Sequence, residues 1–172
     1  MNKALAAHKR LKGLAPVFDE KTRILVLGSF PGPVSLKKRQ YYAYPRNQFW
    51  DIIFGAIGAE APRSYRDRLA ALKKSRIGLW DVIYSCRRAS ASDGNITDPV
   101  FNDIGFLVKN CHYIRAVFCN GNKSYSVFRA RYKDIGIPVK YLPSTSPAHA
   151  GMSLSMKARL WKKAFNRALN TE

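Results

Sequence analysis

Residues 24–50, ILVLGSFPGPVSLKKRQYYAYPRNQFW, constrain the fold of this chain more than any other segment. Ile24, Leu25, Val26 and Leu27 are consecutively apolar, the pattern of a strand buried on both faces, and Gly28 ends the run. Gly28, Pro31, Gly32 and Pro33 then force a tight, stiff loop, since glycine permits sharp turns and proline fixes φ. The loop continues through Lys37, Lys38, Arg39, Tyr41 and Tyr42 into Pro45-Arg46-Asn47-Gln48, which reads as a first helical turn with proline at its start. In open α/β sheets, ligands bind beyond the carboxyl ends of the strands. Glycines, cations, flat rings and a carboxamide collected there are the groups needed to hold a nucleobase.

Strand and helix patterns alternate through the chain. Residues 4–14 read as a short basic amphipathic helix and residues 22–28 as the first strand. Residues 47–57 carry Phe49, Trp50, Ile53, Phe54 and Ile57 at helical spacing before Gly58. Ser64 with Asp67 opens a second helix in the manner of a capping box, ending among Lys73, Lys74 and Arg76. Residues 77–83 read as a strand, 85–96 as a polar loop, and 98–109 as a helix with Asp98 as cap and Pro99 at its first position. A strand over 114–119, a helix over 124–132, a strand at Val139–Leu142 and a helix over 153–169 complete the pattern. The alternation predicts an α/β fold, a three-layer α/β/α sandwich around a central four-stranded parallel sheet. One domain over residues 1–172 is expected, with residues 1–14 packed on it or extending from it.

Thirty Lys and Arg against eleven Asp and Glu give a net charge of +19, which calls for a large anionic partner. Nine Tyr, nine Phe and three Trp interleaved with those cations favour nucleic acid over a lipid surface, because rings add stacking. Cys86, Cys111 and Cys119 are odd in number and widely spaced. They argue against structural disulfides, a four-thiolate cluster or a zinc site, and read as buried and inert. No cofactor and no metal are expected. No apolar stretch reaches membrane-span length and the basic N-terminus lacks the apolar core of a secretory signal. A cytoplasmic protein, held at the nucleoid through DNA and acting as a monomer, is therefore expected.

GSFPG at 28–32, YPRNQFW at 44–50 and PSTSPAHAG at 143–151 follow one another in order. GLWDVI at 78–83, then SCRR, and FCNGNKS at 118–124 stand between them. Together these resemble the uracil-DNA glycosylase superfamily and, within it, look most like the hypoxanthine-DNA (deoxyinosine) glycosylase family. The resemblance spans nearly the whole chain. It implies a monofunctional glycosylase that flips a deaminated base from duplex DNA and hydrolyses its N-glycosidic bond. The superfamily usually carries Asp or Asn at the third position of the first motif. Phe30 stands there, so the resemblance assigns the catalytic role to Asn47 and a second role to Asn120. By the same resemblance Tyr42 stacks on the flipped base, and Gly28, Ser29, Phe30, Pro31 and Gly32 form the base pocket. Ser144, Ser146, Pro147, Ala148, His149 and Met152 belong to the loop that enters the DNA. Ala150 occupies the usual place of a leucine wedge, which leaves His149 or Met152 to fill the gap.

The chemistry asks for similar groups independently. A carboxamide offers an acceptor and two donors, complementary to the carbonyl and adjacent N–H of hypoxanthine, uracil or xanthine and mismatched to adenine and cytosine. Asn47 cannot act as a base at neutral pH and could only orient a water. The backbone amides of residues 29–32 are further candidate donors. Lys37, Lys38, Arg39, Arg46 and Lys123 are candidate phosphate contacts. Asp81, ending the GLWD strand, reads as a loop-orienting carboxylate and the reserve candidate for a base. A non-catalytic basic nucleic-acid-binding module on the same fold, having lost its carboxylate at Phe30, is the alternative reading.

Overall fold

The computed structural model describes residues 9–90, 92–132 and 135–170. In chain order its elements are β1 (Leu11–Lys12), β2 (Ile24–Gly28), α1 (Pro33–Lys38), α2 (Phe49–Ala56), α3 (Tyr65–Lys74), β3 (Ile77–Asp81), β4 (Ile83–Arg88) and β5 (Ile96–Phe101). They continue with α4 (Ile104–Asn110), β6 (Ala116–Asn120), α5 (Asn122–Arg131), β7 (Val139–Leu142) and α6 (Leu154–Asn170). β3, β2, β6 and β7 form a parallel sheet in that order, with helices on both faces. The predicted four-stranded α/β/α architecture is thus present.

Strand parity explains why β2 is buried along its whole length. Successive side chains point to opposite faces. Ile24 and Val26 enter a core with Phe49, Trp50 and Phe54 of α2 and Trp161 and Phe165 of α6. Leu25 and Leu27 enter the other, with Ile104 and Leu107 of α4 and Phe128 of α5. β6 repeats the division, sending Ala116 and Phe118 one way and Val117 and Cys119 the other. The register sets Gly28 beside Asp81 and Asn120 beside Leu142, so the carboxyl ends of all four strands share one edge.

Several sequence expectations are corrected. Of the expected N-terminal helix, residues 1–8 lie outside the described residues. Leu11–Lys12 is instead a strand, antiparallel to β4 with Leu11 opposite Cys86, an arrangement that satisfies the backbone along β4. The expected strand over 77–83 breaks at Val82, where the chain hooks over the end of β2. Val82 donates to the Gly28 carbonyl (2.9 Å) and Ile83 to that of Ser29 (3.1 Å). Beyond this hook β4 and β5 pair antiparallel, making a second, three-stranded sheet from the expected polar loop and the start of the expected helix. Pro99 lies in β5, at the sheet edge where a missing N–H is tolerated.

Asp98 is no helix cap: it adopts φ +56° and holds Arg10 (2.9 Å) and Arg87 (3.3 Å). The helix begins instead at Ile104, capped by Asp103, whose carboxylate accepts from the Phe106 amide (2.9 Å). Residues 33–38, expected as loop, form α1 with proline in its first turn. The Pro45 segment is a turn closed by Asn47 N–H donating to Tyr44 O (2.9 Å), and α2 starts only at Phe49. Ser64 caps α3 as expected, accepting from Asp67 N (3.1 Å). Among the described residues, no helix is long and apolar enough to cross a membrane.

Trp161 joins the fold to the loop after β7. It is fully buried against Phe49 and Phe165, and its indole N–H donates to Pro143 O (3.0 Å). Trp161→Ala is expected to cost about 3–5 kcal/mol in urea unfolding, the range for a large aromatic removed from a core.

Candidate active site

Gly28 ends β2 where backbone and side chains crowd together. A Cβ there would collide with Asp81 Oδ1 and stand 3.1 Å from the Tyr42 hydroxyl, so close approach alone requires glycine. Tyr42 arrives from the α1–α2 connection with φ +52°, an uncommon backbone state for a side chain of this size. Its ring lies flat on Phe49, with centroids 3.6 Å apart and planes 12° from parallel.

The Tyr42 hydroxyl begins a continuous set of hydrogen bonds across the sheet edge. It accepts from Asn120 Nδ2 (3.2 Å), and the same nitrogen donates to Thr145 Oγ1 (3.0 Å). Asn120 Oδ1 accepts from the Thr145 amide (2.9 Å), which fixes the orientation of the carboxamide, since a backbone N–H can only donate. The Thr145 hydroxyl donates onward to Asn47 Oδ1 (3.0 Å), and that oxygen also accepts from the Phe49 amide (3.0 Å). Asn47 and Asn120, 73 residues apart in sequence, are thereby joined through one buried threonine. The bond set assigns Asn47 Nδ2 no acceptor among the described residues, which leaves its two N–H donors available. Asn120 has both amide hydrogens engaged and keeps one lone pair of Oδ1.

Two carboxyl groups lie beside this set. Asp81 is buried at 4% exposure, and its Oδ2 has no hydrogen-bond partner. Burial, then the nearby Asp93, push its pKa up to about 7. Asp93 comes from the short 3₁₀ turn Asp93–Asn95 and accepts from the Ser29 hydroxyl (2.5 Å). Burial also drives the Tyr42 phenol far above its ordinary value, with Asp81 adding to the effect, so that hydroxyl keeps its proton.

The other expected site residues fall into three groups. Phe30 and Pro31 are buried. The Phe30 ring packs in the core of α4 and α5 with the Arg88 guanidinium 5.2 Å from its centroid, and Arg88 donates to Pro31 O (2.9 Å). Position 30 therefore offers a ligand its backbone, while Ser29 and Gly32 stay half-buried on the loop. The 143–152 loop is braced from within. Ser144 stacks on Gly121 (φ +94°), and its hydroxyl accepts from Ser146 N (3.2 Å). Ser146 in turn accepts from Ala148 N through Oγ (3.3 Å) and from His149 N through its carbonyl (3.1 Å). Pro147, His149 and Met152 are half-buried and Ala148 is exposed. Lys37, Lys38, Arg39 and Arg46 project from the surface, and Lys123 is half-buried.

Thr145, at the centre of this hydrogen-bonded set, is a residue that sequence reasoning missed. It stands between two serines of the same motif, and no local pattern marks it, because its partners lie 25 and 98 residues away. Lys157 was missed as well. Buried on α6, it donates to Gln48 Oε1 (3.3 Å), while Gln48 N donates to Thr145 O (3.1 Å), tying the Asn47 turn to the loop. Asp93 lay in a segment with no pattern to single it out.

The raised pKa of Asp81 makes a stability prediction. The folded value lies above the unfolded one, so the group's contribution is complete below about pH 4 and is lost as pH rises through about 7. Relative to wild type, Asp81→Asn should gain stability between pH 4 and 8, by up to roughly 4 kcal/mol. Urea unfolding across that range checks it; a difference independent of pH would contradict the assignment.

The Uracil DNA glycosylase superfamily model matches residues 15–170. Hypoxanthine DNA glycosylase of Methanosarcina barkeri is 38% identical over 157 residues, covering 91% of this chain and 98% of that protein. Hypoxanthine DNA glycosylase of Methanosarcina acetivorans is 36% identical over 155 residues, covering 90% and 97%. The solution NMR structure of a candidate uracil DNA glycosylase from Methanosarcina acetivorans superposes with a TM-score of 0.83 at 34% identity, over 94% of this chain and 100% of that one. Sequence and fold agree with these proteins over nearly the full length. The chain belongs to the uracil DNA glycosylase superfamily and is a DNA glycosylase.

Proposed function

We propose that this protein removes hypoxanthine from duplex DNA by hydrolysing its N-glycosidic bond, leaving the strand intact, and that it does so as a cytoplasmic monomer. The observation that carries the reading is the hydrogen-bonded set Tyr42–Asn120–Thr145–Asn47 at the carboxyl edge of the sheet. The free Oδ1 lone pair of Asn120 is an acceptor, suited to the ring N–H of hypoxanthine and unsuited to the bare ring nitrogen of adenine. Asn47 Nδ2 can hold a water by its oxygen and leave a second lone pair for C1′ of the sugar. Tyr42, backed by Phe49, gives the flipped base a rigid ring to stack on. The exposed cations of α1, with Arg39 and Arg46, suit the phosphates on either side.

Duplexes carrying inosine, uracil, xanthine or no lesion, treated with alkali after incubation, test the base assignment. Cleavage of inosine strands first and fastest is expected. Cleavage of uracil or xanthine with none of inosine would overturn the hypoxanthine reading. Asn47→Ala should slow single-turnover cleavage of inosine DNA at least about a hundredfold with little change in DNA affinity.

Phosphate contacts make a separate prediction. Affinity for undamaged duplex should fall with salt at a log–log slope of about −0.9 per phosphate neutralised. A flat titration would contradict a phosphate-driven interface.

A further inference from the structure

The set of Tyr42, Asn120, Thr145 and Asn47 supplies groups that stack, accept and position, but neither asparagine can transfer a proton. A departing purine carries the electron pair of the broken bond, and protonating it lowers the cost of departure. The ionisable groups around Gly28 are few. The Tyr42 and Tyr41 phenols are held protonated far above neutral pH by burial, and Asp93 is engaged by the Ser29 hydroxyl. Asp81 differs from all of them. Its Oδ1 crowds Gly28 Cα on the side overhung by the Tyr42 hydroxyl, and Tyr42 is bonded to Asn120, so the carboxyl abuts the hydrogen-bonded set. Its Oδ2 is buried without a partner. An unpaired buried carboxyl is costly to the fold, and such groups concentrate where a ligand completes them.

We infer that Asp81 is a catalytic residue of this glycosylase: its neutral carboxyl hydrogen-bonds the flipped base and gives that base its proton as the glycosidic bond breaks. This rests on the hypoxanthine reading for its substrate. In the step, the C1′–N9 bond breaks with its electron pair passing to hypoxanthine. The Asp81 O–H bond breaks with its proton going to a ring nitrogen of the base and its pair staying on the carboxylate. The water oxygen bonds to C1′, and the proton that water sheds returns to the Asp81 carboxylate, directly or through solvent. The sum is hydrolysis, with Asp81 restored. The titratable groups facing it are Asp93 from the 3₁₀ turn and Tyr41 and Tyr42 from the α1–α2 connection. Burial first, and then the like charge of Asp93, favour the protonated form, which is the state a donor requires.

The test is single-turnover cleavage of an inosine duplex from pH 5 to 9 by wild type and Asp81→Asn, an isosteric change that keeps hydrogen bonding and removes the proton. Wild-type cleavage should fall about tenfold per pH unit above roughly pH 7 as Asp81 ionises. Asp81→Asn should lose at least about a hundredfold at pH 6 and show no such descent, while binding a duplex with a 2′-fluoro, uncleavable inosine as wild type does. An Asn variant within about threefold of wild type, or one that keeps the descending limb, overturns the proton-donor role. So does a variant that loses analogue binding together with cleavage, which would make Asp81 a structural or binding group. A wild-type protein inert on inosine overturns the hypoxanthine reading instead, and the same pH series on whichever deaminated base it does cleave then decides the role of Asp81.

Discussion

The architecture of the site depends on Thr145. Its amide and hydroxyl are both buried, and each is committed to a carboxamide from another part of the chain. The amide fixes which way Asn120 presents its oxygen. The hydroxyl accepts from Asn120 and donates to Asn47, so a single side chain sets the distance between the two. Buried networks of this kind are rigid when every member is satisfied and weak when one is missing. The sheet brings Asn120 to the edge and the turn before α2 brings Asn47, but neither element by itself fixes how the two amides face each other. Trp161, bonded to Pro143 two residues earlier, and Lys157, holding Gln48, keep Thr145 in place.

A rigid site has local costs, and they are visible. Tyr42 holds a left-handed backbone, Gly28 forgoes a side chain, and Asp81 sits buried with an unpaired oxygen. Each would be unfavourable in a loop with no other duty. They occur within one neighbourhood, at the end of β2, whose side chains feed both cores. Phe49 illustrates the compensation, since it is fully buried and contributes at once to the core and to the face that supports Tyr42.

How much of this was legible in the sequence follows from which forces were local. The parallel sheet was, because β2 and β6 are apolar on both faces and their parity feeds two cores. The second sheet was not. β4 carries polar residues yet is mostly buried, β5 is largely exposed, and Asp98-Pro99, which reads as a helix start, lies in an edge strand of the fold. Long-range partners, Arg10 and the β4 edge, decide between the two. At the site, Gly28, Asn47 and Asn120 stood in motifs that could be placed on strand ends. Thr145 could not be recognised because its role consists of partners 25 and 98 residues away. Asp81 was seen, but its chemistry was not, because a raised pKa comes from burial and from Asp93, neither of which is written beside it.

Phe30 bears on the same point from the other side. The superfamily resemblance makes position 30 conspicuous for lacking a carboxylate or carboxamide, which on its own argues for lost activity. The structure gives the position a packing duty instead. The ring closes the core beneath β1 and β4, with Arg88 over one face and Gly13, where a Cβ would stand 3.4 Å away, beside it. A polar residue at this depth would need partners that the apolar core does not offer. The polar groups therefore sit elsewhere on the same edge: Asn47 before α2, Asn120 at the end of β6 and Asp81 at the end of β3. The sheet fixes the places that side chains can reach, and which strand end supplies each group is free to vary so long as the edge stays in register.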